Sequence, residues 1–254
     1  METGKVIREL VGRYRLRDGG AVMEALVGEL YAAVGIFTNT HRLAKAAGER
    51  LGASVSDHTI GNYLGYLEES GLFFPARRYD IRARKYFGSP LKYYAADIDA
   101  LQARLTATPE DRARLQENLV FNALVARGYS VDTGVVELNR RDASGRQVQT
   151  HHEISFVARS GDRRIYIQFV PDLADLDRAL IPLLTTGDFF PRIIIYAGGL
   201  PPRRAKGQPE SHKGSSGLSL PVPNGPRTRQ SSFVDDLGIE YIGLDAFLQG
   251  HGIL

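Results

Sequence analysis

Apolar residues in the first 70 positions recur with the spacing of α-helices. Residues 21–34 form one apolar-periodic segment, Thr38 is the expected cap of a second helix that ends at Leu51, and Ser56 is the expected cap of a third that ends at Ser70. In the third helix the i, i+3, i+4, i+7 pattern predicts a buried stripe of Ile60, Tyr63, Leu64 and Leu67. The same pattern places four other residues on the exposed face of this helix: Asp57, His58, Asn62 and Tyr66.

A basic hairpin is predicted directly after these helices. Its sequence is LFFPARRYDIRARKYFGSPLKYYAAD, residues 72–97, in which apolar and charged positions alternate. The second and third helices are joined by only four residues, 52–55. Two closely joined helices followed by a hairpin predict a winged helix-turn-helix domain over residues 1–105, with the hairpin as the wing.

The pattern changes after Leu105, and a second domain is predicted over residues 106–254. Thr108 and Pro109 begin a helix that Gly128 ends. Strands are predicted at residues 130–138, 147–157 and 163–170, then a helix at 172–184, strands at 192–197 and 239–243, and a short helix at 244–248. This α/β order, αβββαβ, predicts a mixed sheet flanked by helices. A Gly/Pro/Ser-rich insert at residues 199–232 is expected to form a mobile loop.

Positive charge is concentrated in two segments, although the net charge is only +3. Residues 72–94 and residues 199–232 each carry six basic residues against one acidic residue. Such patches attract a phosphate backbone, so duplex DNA is an expected partner. The expected contacts in the wing are Arg77, Arg78, Arg82, Arg84, Lys85 and Lys92. The third helix contains no Lys or Arg, which leaves only Asn62 and His58 to contact bases.

Other compositional features restrict the class of protein. No segment has the roughly 18 uninterrupted apolar residues of a membrane span, so no membrane partner is expected. The absence of cysteine excludes disulfides and thiolate metal sites, and it suits a reducing compartment such as the cytoplasm. The chain has no Gly-x-x-x-x-Gly-Lys-[Ser/Thr] loop, so ATP binding and other cofactors are not expected.

Residues 151–170, HHEISFVARSGDRRIYIQFV, have the layout of a nuclease site without its charged residues. Nucleases of the PD-(D/E)XK type carry an Asp on one strand and Glu-x-Lys on the next. The corresponding positions here are Ser155, Gln168 and Val170. These side chains cannot replace two carboxylates and an ammonium around a hard cation such as Mg²⁺.

Two glutamates remain near this layout. Glu117, on the first helix of the second domain, matches the remaining acidic position of the nuclease arrangement. Glu153 lies two residues before Ser155, and strand alternation puts these two side chains on the same face. Glu153 is therefore a candidate for a site carboxylate that has moved along the strand from position 155. His151 and His152 are adjacent on a strand and point to opposite faces, so no metal site is predicted.

The chain resembles the C-terminal half of prokaryotic ATPases of the AAA superfamily. In that family a nucleotide-binding domain is followed by a winged helix and a nuclease-like domain of unknown function. The matching blocks include VSDHTIGNYLGYLEESGL (55–72), LKYYAADI (91–98), ENLVFNALVARGYSV (117–131), EISFVA (153–158), YIQFV (166–170) and LGIEYIGLDAFL (237–248). The resemblance implies an ATPase domain or a partner subunit as a further partner. The family has Asp where this chain has Ser155 and already shares Gln168.

These features together predict a nucleic-acid-binding or assembly module with a catalytically silent nuclease-like domain, and therefore no enzymatic activity. Two alternatives remain open. One is a metal-dependent endonuclease with a rearranged active site, and the other is a protein-interaction module without affinity for DNA.

Overall fold

The N-terminal part of the computed structural model consists of four helices. Residues 3–16, 19–141, 146–197 and 232–252 are described, and every structural statement below concerns them. The helices are α1 (Thr3–Arg13), α2 (Gly19–Ala32), α3 (Thr40–Leu51) and α4 (Asp57–Glu69). The buried stripe predicted for α4 is confirmed, since all four of its residues are at most 8% exposed.

Two details of these helices differ from the predictions. The cap of α3 is Asn39 rather than Thr38: Asn39 has an extended backbone, and its Oδ1 accepts a hydrogen bond from the Arg42 amide at 2.8 Å. Helix α1 was not predicted, although Ile7 and Leu10 give it a buried face. Ser56 caps α4 as predicted, with its hydroxyl oxygen 3.0 Å from the Thr59 amide nitrogen.

The predicted wing divides into two parts. Strand β1 (Phe73–Ala76) pairs with β4 (Lys92–Ala95) in a two-stranded antiparallel sheet. Between them, β2 (Arg78–Asp80) and β3 (Lys85–Tyr86) join a separate, larger sheet, in which β2 pairs in parallel with β5 (Ser130–Arg141). The tip of the hairpin is therefore one edge of the large sheet.

The large sheet contains eight strands among the described residues and is mixed, which confirms the predicted α/β class. Its order is β3-β2-β5-β6-β7-β8-β10-β9. The pairs β2–β5, β7–β8 and β8–β10 are parallel, and the others are antiparallel. The remaining elements are α5 (Ile98–Gln102), α6 (Pro109–Ala126), β6 (Gln147–Ser160), β7 (Arg163–Val170), α7 (Leu176–Leu184), β8 (Arg192–Tyr196), β9 (Ser232–Val234), β10 (Ile239–Gly243) and α8 (Leu244–Leu248).

The sheet is covered on both faces, because alternate residues of β7 enter different cores. Ile167 packs with Phe121 of α6 in a cluster that continues without a break into α1–α4. Val170 packs with Leu180 and Leu183 of α7 in a second cluster. The boundary predicted at residue 105 stays a prediction, although apolar packing crosses it. The predicted insert lies outside the described residues except for Ser232, which begins β9.

Hydropathy adds one observation on membranes. Among the helices in the described part of the chain, none has both the length and the apolar character that a membrane crossing requires.

Candidate functional site

Ser155, Gln168 and Val170, the positions predicted to correspond to a nuclease site, lie where β6 and β7 separate. The ladder between these strands ends at the pair Phe156 and Ile167. Along its other edge, β6 pairs with β5, and there β6 contains one extra residue. Asp132 is opposite Val157 and Gly134 is opposite Ile154, so two steps along β5 correspond to three steps along β6. Ser155 therefore lies in a β-bulge, a feature that interrupts strand pairing and redirects side chains.

Ser155 and Gln168 join the separating strands through their side chains. The Ser155 amide donates to Gln168 Oε1 at 3.2 Å, and the Phe169 amide donates to the Ser155 hydroxyl at 3.2 Å. Each side chain thus satisfies a backbone donor of the opposite strand. Val170 is 1% exposed in the core beneath α7. Ser155, Gln168 and Val170, which were predicted to match charged positions of a nuclease, here serve strand closure and packing.

We expect Gln168→Leu to destabilise the protein by about 1 to 3 kcal/mol, since it leaves the Ser155 amide without its acceptor. Gln168→Glu retains an acceptor oxygen and is the matched control, with a smaller loss. Urea unfolding followed by circular dichroism measures both. Equal stability of Gln168→Leu and the wild type would contradict the strand-closing role.

A lysine lies between the two glutamates. Lys92, on β4, places its Nζ 3.3 Å from Glu117 Oε1 on α6 and 2.6 Å from Glu153 Oε1 on β6. The Lys92 side chain is 6% exposed, whereas those of Glu117 and Glu153 are 20% and 40% exposed. We call these three residues the Lys92 cluster.

The charges in this cluster stabilise one another. Burial lowers the pKa of Lys92, but the adjacent charges of Glu117 and Glu153 and their hydrogen bonds outweigh burial and leave that pKa raised. The Tyr94 hydroxyl donates to Glu117 Oε1 at 2.7 Å. Burial, followed by the Glu117 charge, raises the pKa of Tyr94 well above its usual value, so this phenol remains a neutral donor. The cluster therefore contains a protonated ammonium at neutral pH.

A cleft of about 470 Å³ opens beside the cluster, in the gap between β6 and β7. Its walls come from residues 151–153, residues 168–171, Asp175 just before α7, and one side of α7, which contributes Arg178. Glu153 belongs both to this wall and to the Lys92 cluster. Within the described ranges, no three His, Asp or Glu side chains are grouped so that they could hold a metal ion.

The basic residues predicted to contact DNA occupy different environments. Lys92 does not fit that role, because it is buried and paired with two carboxylates. Arg77 is 3.8 Å from Asp132 and lies over the ring of Tyr86. Arg78 is half-buried, with its guanidinium over Phe37 and Phe87. These three residues contact other parts of the protein.

The remaining three basic residues project from a turn that a buried carboxylate organises. Asp80, 2% exposed, accepts hydrogen bonds from the amides of Arg82 and Ala83 at 3.1 and 2.8 Å. Arg84 has a φ of 54°, which lets the chain return into β3. Arg82, Arg84 and Lys85 are exposed, and we call residues 81–85 the basic turn.

Helix α4 exposes its two predicted polar contacts. His58 and Asn62 are both exposed, and His58 Nδ1 lies 3.4 Å from Asn62 Nδ2. Asp57 at the start of the helix lies 3.4 Å from the His41 ring. Tyr66, predicted to lie outside, is half-buried because its ring stacks on Tyr14 at 3.6 Å between centroids.

The roles of Lys92 and Tyr94 were not predicted from the sequence. The available signal was the segment LKYYAA, in which one cation stands within a run of apolar and aromatic residues. All four residues of β4 are buried, so a lysine there requires carboxylate partners. Neither partner is adjacent in sequence, since Glu117 is 25 and Glu153 61 residues away.

Comparisons with known proteins add one relative. The chain is 28% identical over 191 residues to an uncharacterized protein of Haemophilus influenzae, an alignment that covers 75% of this chain and 44% of the relative. The chain thus spans less than half of the length of that relative. No family model matches the chain, and no solved structure matches it.

Proposed function

We propose that the protein binds duplex DNA without cleaving it, through a winged helix-turn-helix attached to a silent PD-(D/E)XK-like domain. The observation that carries DNA binding is the basic turn. Its three cations are exposed, and the turn that presents them is fixed by the buried Asp80. A rigid cationic projection contacts phosphates with little sequence preference. Because α4 offers only His58 and Asn62, the basic turn supplies most of the affinity.

Silence of the nuclease-like domain is supported by the Lys92 cluster and by the bonds of Ser155 and Gln168. The two carboxylates that could hold a divalent ion already share the Lys92 ammonium as their counter-ion. The two polar nuclease positions are engaged with backbone amides. A metal-dependent hydrolase needs charged oxygen ligands that are free to coordinate the ion, and here the ammonium of Lys92 lies between the two carboxylates.

Fluorescence anisotropy with a labelled duplex, at two salt concentrations and with and without Mg²⁺, tests the proposal. We expect binding that weakens steeply with salt and does not require Mg²⁺. Absence of binding at low salt would favour a protein-interaction module instead. The Haemophilus relative extends well beyond the aligned part, and the proposal includes an assembly role in which this module works beside further domains.

A rearranged endonuclease is the second candidate, because Glu117, Glu153 and Lys92 are the residue types of a nuclease site. Our expectation is that the wild-type protein leaves plasmid DNA and RNA intact in Mg²⁺ or Mn²⁺. Cleavage that Glu117→Gln and Glu153→Gln each abolish would establish the rearranged site. Cleavage that survives both changes would indicate a contaminating nuclease.

A further inference from the structure

We propose that the Lys92 ammonium occupies a latent divalent-cation site formed by Glu117 and Glu153, and that it excludes metal from this pair. The inference rests on the silent domain proposed above and names the residue that keeps it silent. Glu117 comes from α6 and Glu153 from β6, so the pair is assembled by the fold and not by a local acidic run.

The geometry of the pair suits a cation because one cation is already there. Lys92 Nζ contacts one oxygen of each carboxylate, at 3.3 and 2.6 Å. Those oxygens are therefore at most about 6 Å apart, whereas two oxygens that bind one hard cation at about 2.1 to 2.5 Å are roughly 3 to 5 Å apart. A small movement of the half-exposed Glu153 side chain closes this difference.

A solvent-open cleft beside the pair offers a route for the ion. Glu153 lines the cleft of about 470 Å³ between β6 and β7, which is open to solvent and large enough for a hydrated ion. Mg²⁺ and Mn²⁺ keep several waters when proteins provide only one or two carboxylates. The Lys92 side chain is only 6% exposed and its ammonium contacts both carboxylates, so in the wild type it competes with any such ion at close range.

The test compares Mn²⁺ binding by the wild type, Lys92→Met and Lys92→Met/Glu117→Gln. Methionine fills much of the lysine volume without its charge. At Mn²⁺ about a hundredfold above the dissociation constant, mass action should raise the melting temperature of Lys92→Met by roughly 5 °C or more. The wild type and the double variant should not shift.

Terbium luminescence provides a second measurement that does not depend on melting. The chain has no tryptophan, and the Tyr94 hydroxyl is 2.7 Å from Glu117, so Tb³⁺ at this pair lies close to an excitable ring. Tyrosine-sensitised emission is expected from Lys92→Met and should fall in the double variant.

Either of two results would overturn the inference. One is no Mn²⁺ or Tb³⁺ response in Lys92→Met, and the other is a wild-type response that Glu117→Gln removes. Wild-type protein is measurable even if the variants fold poorly. DNA binding, measured by anisotropy on the same samples, is proposed not to depend on Lys92. A failed metal response with intact DNA binding would therefore overturn this inference and leave the proposed function standing.

Discussion

Lys92→Met is expected to lower the free energy of unfolding by about 3 kcal/mol, near the lower end of the cost of removing one partner from a buried ion pair. The change leaves Glu117 and Glu153 close together without a counter-ion. Glu153 is 40% exposed and retains some solvation, which limits the loss. Chemical denaturation at neutral pH measures the effect.

Two further variants separate charge from packing. Adding Glu117→Gln and Glu153→Gln to Lys92→Met removes the uncompensated charges and should restore much of the lost stability. Lys45→Met is the matched control, because Lys45 pairs with Glu49 while both are about 70% exposed, and it should change stability by less than about 0.5 kcal/mol. Equal losses in Lys92→Met and Lys45→Met would contradict a buried role for Lys92.

The same cluster predicts a dependence on pH. Because the pKa of Lys92 is raised in the folded protein, its contribution to stability is complete below the ordinary lysine pKa of 10.5. That contribution is lost as the pH rises through the higher folded value. Around neutral pH the cluster should therefore contribute no pH dependence through Lys92.

Local patterns in the sequence were sufficient for most elements of the fold. Hydroxyl caps and apolar periodicity were enough to predict α4 and α6 from the sequence, because the start of a helix depends on residues within one turn of it. The tip of the hairpin was harder to place. Its strand β2 pairs with β5, more than 50 residues later, and no local pattern encodes a partner at that distance.

In the candidate site, too, the residues could be found from local sequence, whereas their contacts depend on distant parts of the chain. Ser155 and Gln168 were found as uncharged substitutes, but the bulge that makes them partners depends on the register of β5 against β6. The charge of Lys92 suggested a surface residue when it was counted with its basic neighbours. Only the approach of α6 and β6 shows that it is a buried counter-ion.

Removal of the basic turn should produce the largest functional effect. Replacing Arg82, Arg84 and Lys85 together with Ala should weaken duplex binding by about two orders of magnitude at moderate salt, because each phosphate contact contributes roughly 0.9 to the slope of log affinity against log salt. The fold should survive, since all three side chains are exposed and Asp80 still accepts its two backbone bonds; the bond lost, from Arg82 to the Glu137 carbonyl at 3.3 Å, is itself exposed.

The matched control removes the same charge from another exposed surface. Lys5, Arg8 and Arg13 are exposed on α1, and their replacement with Ala also lowers the net charge by three. If nonspecific attraction to the whole protein dominates, both triple variants will lose affinity equally. If the basic turn contacts phosphates, only its variant will lose salt dependence, by up to about 2.7 in slope for three contacts. An unchanged slope in the basic-turn variant would remove this element from the DNA-binding surface and leave α4, with His58 and Asn62, as the remaining contact.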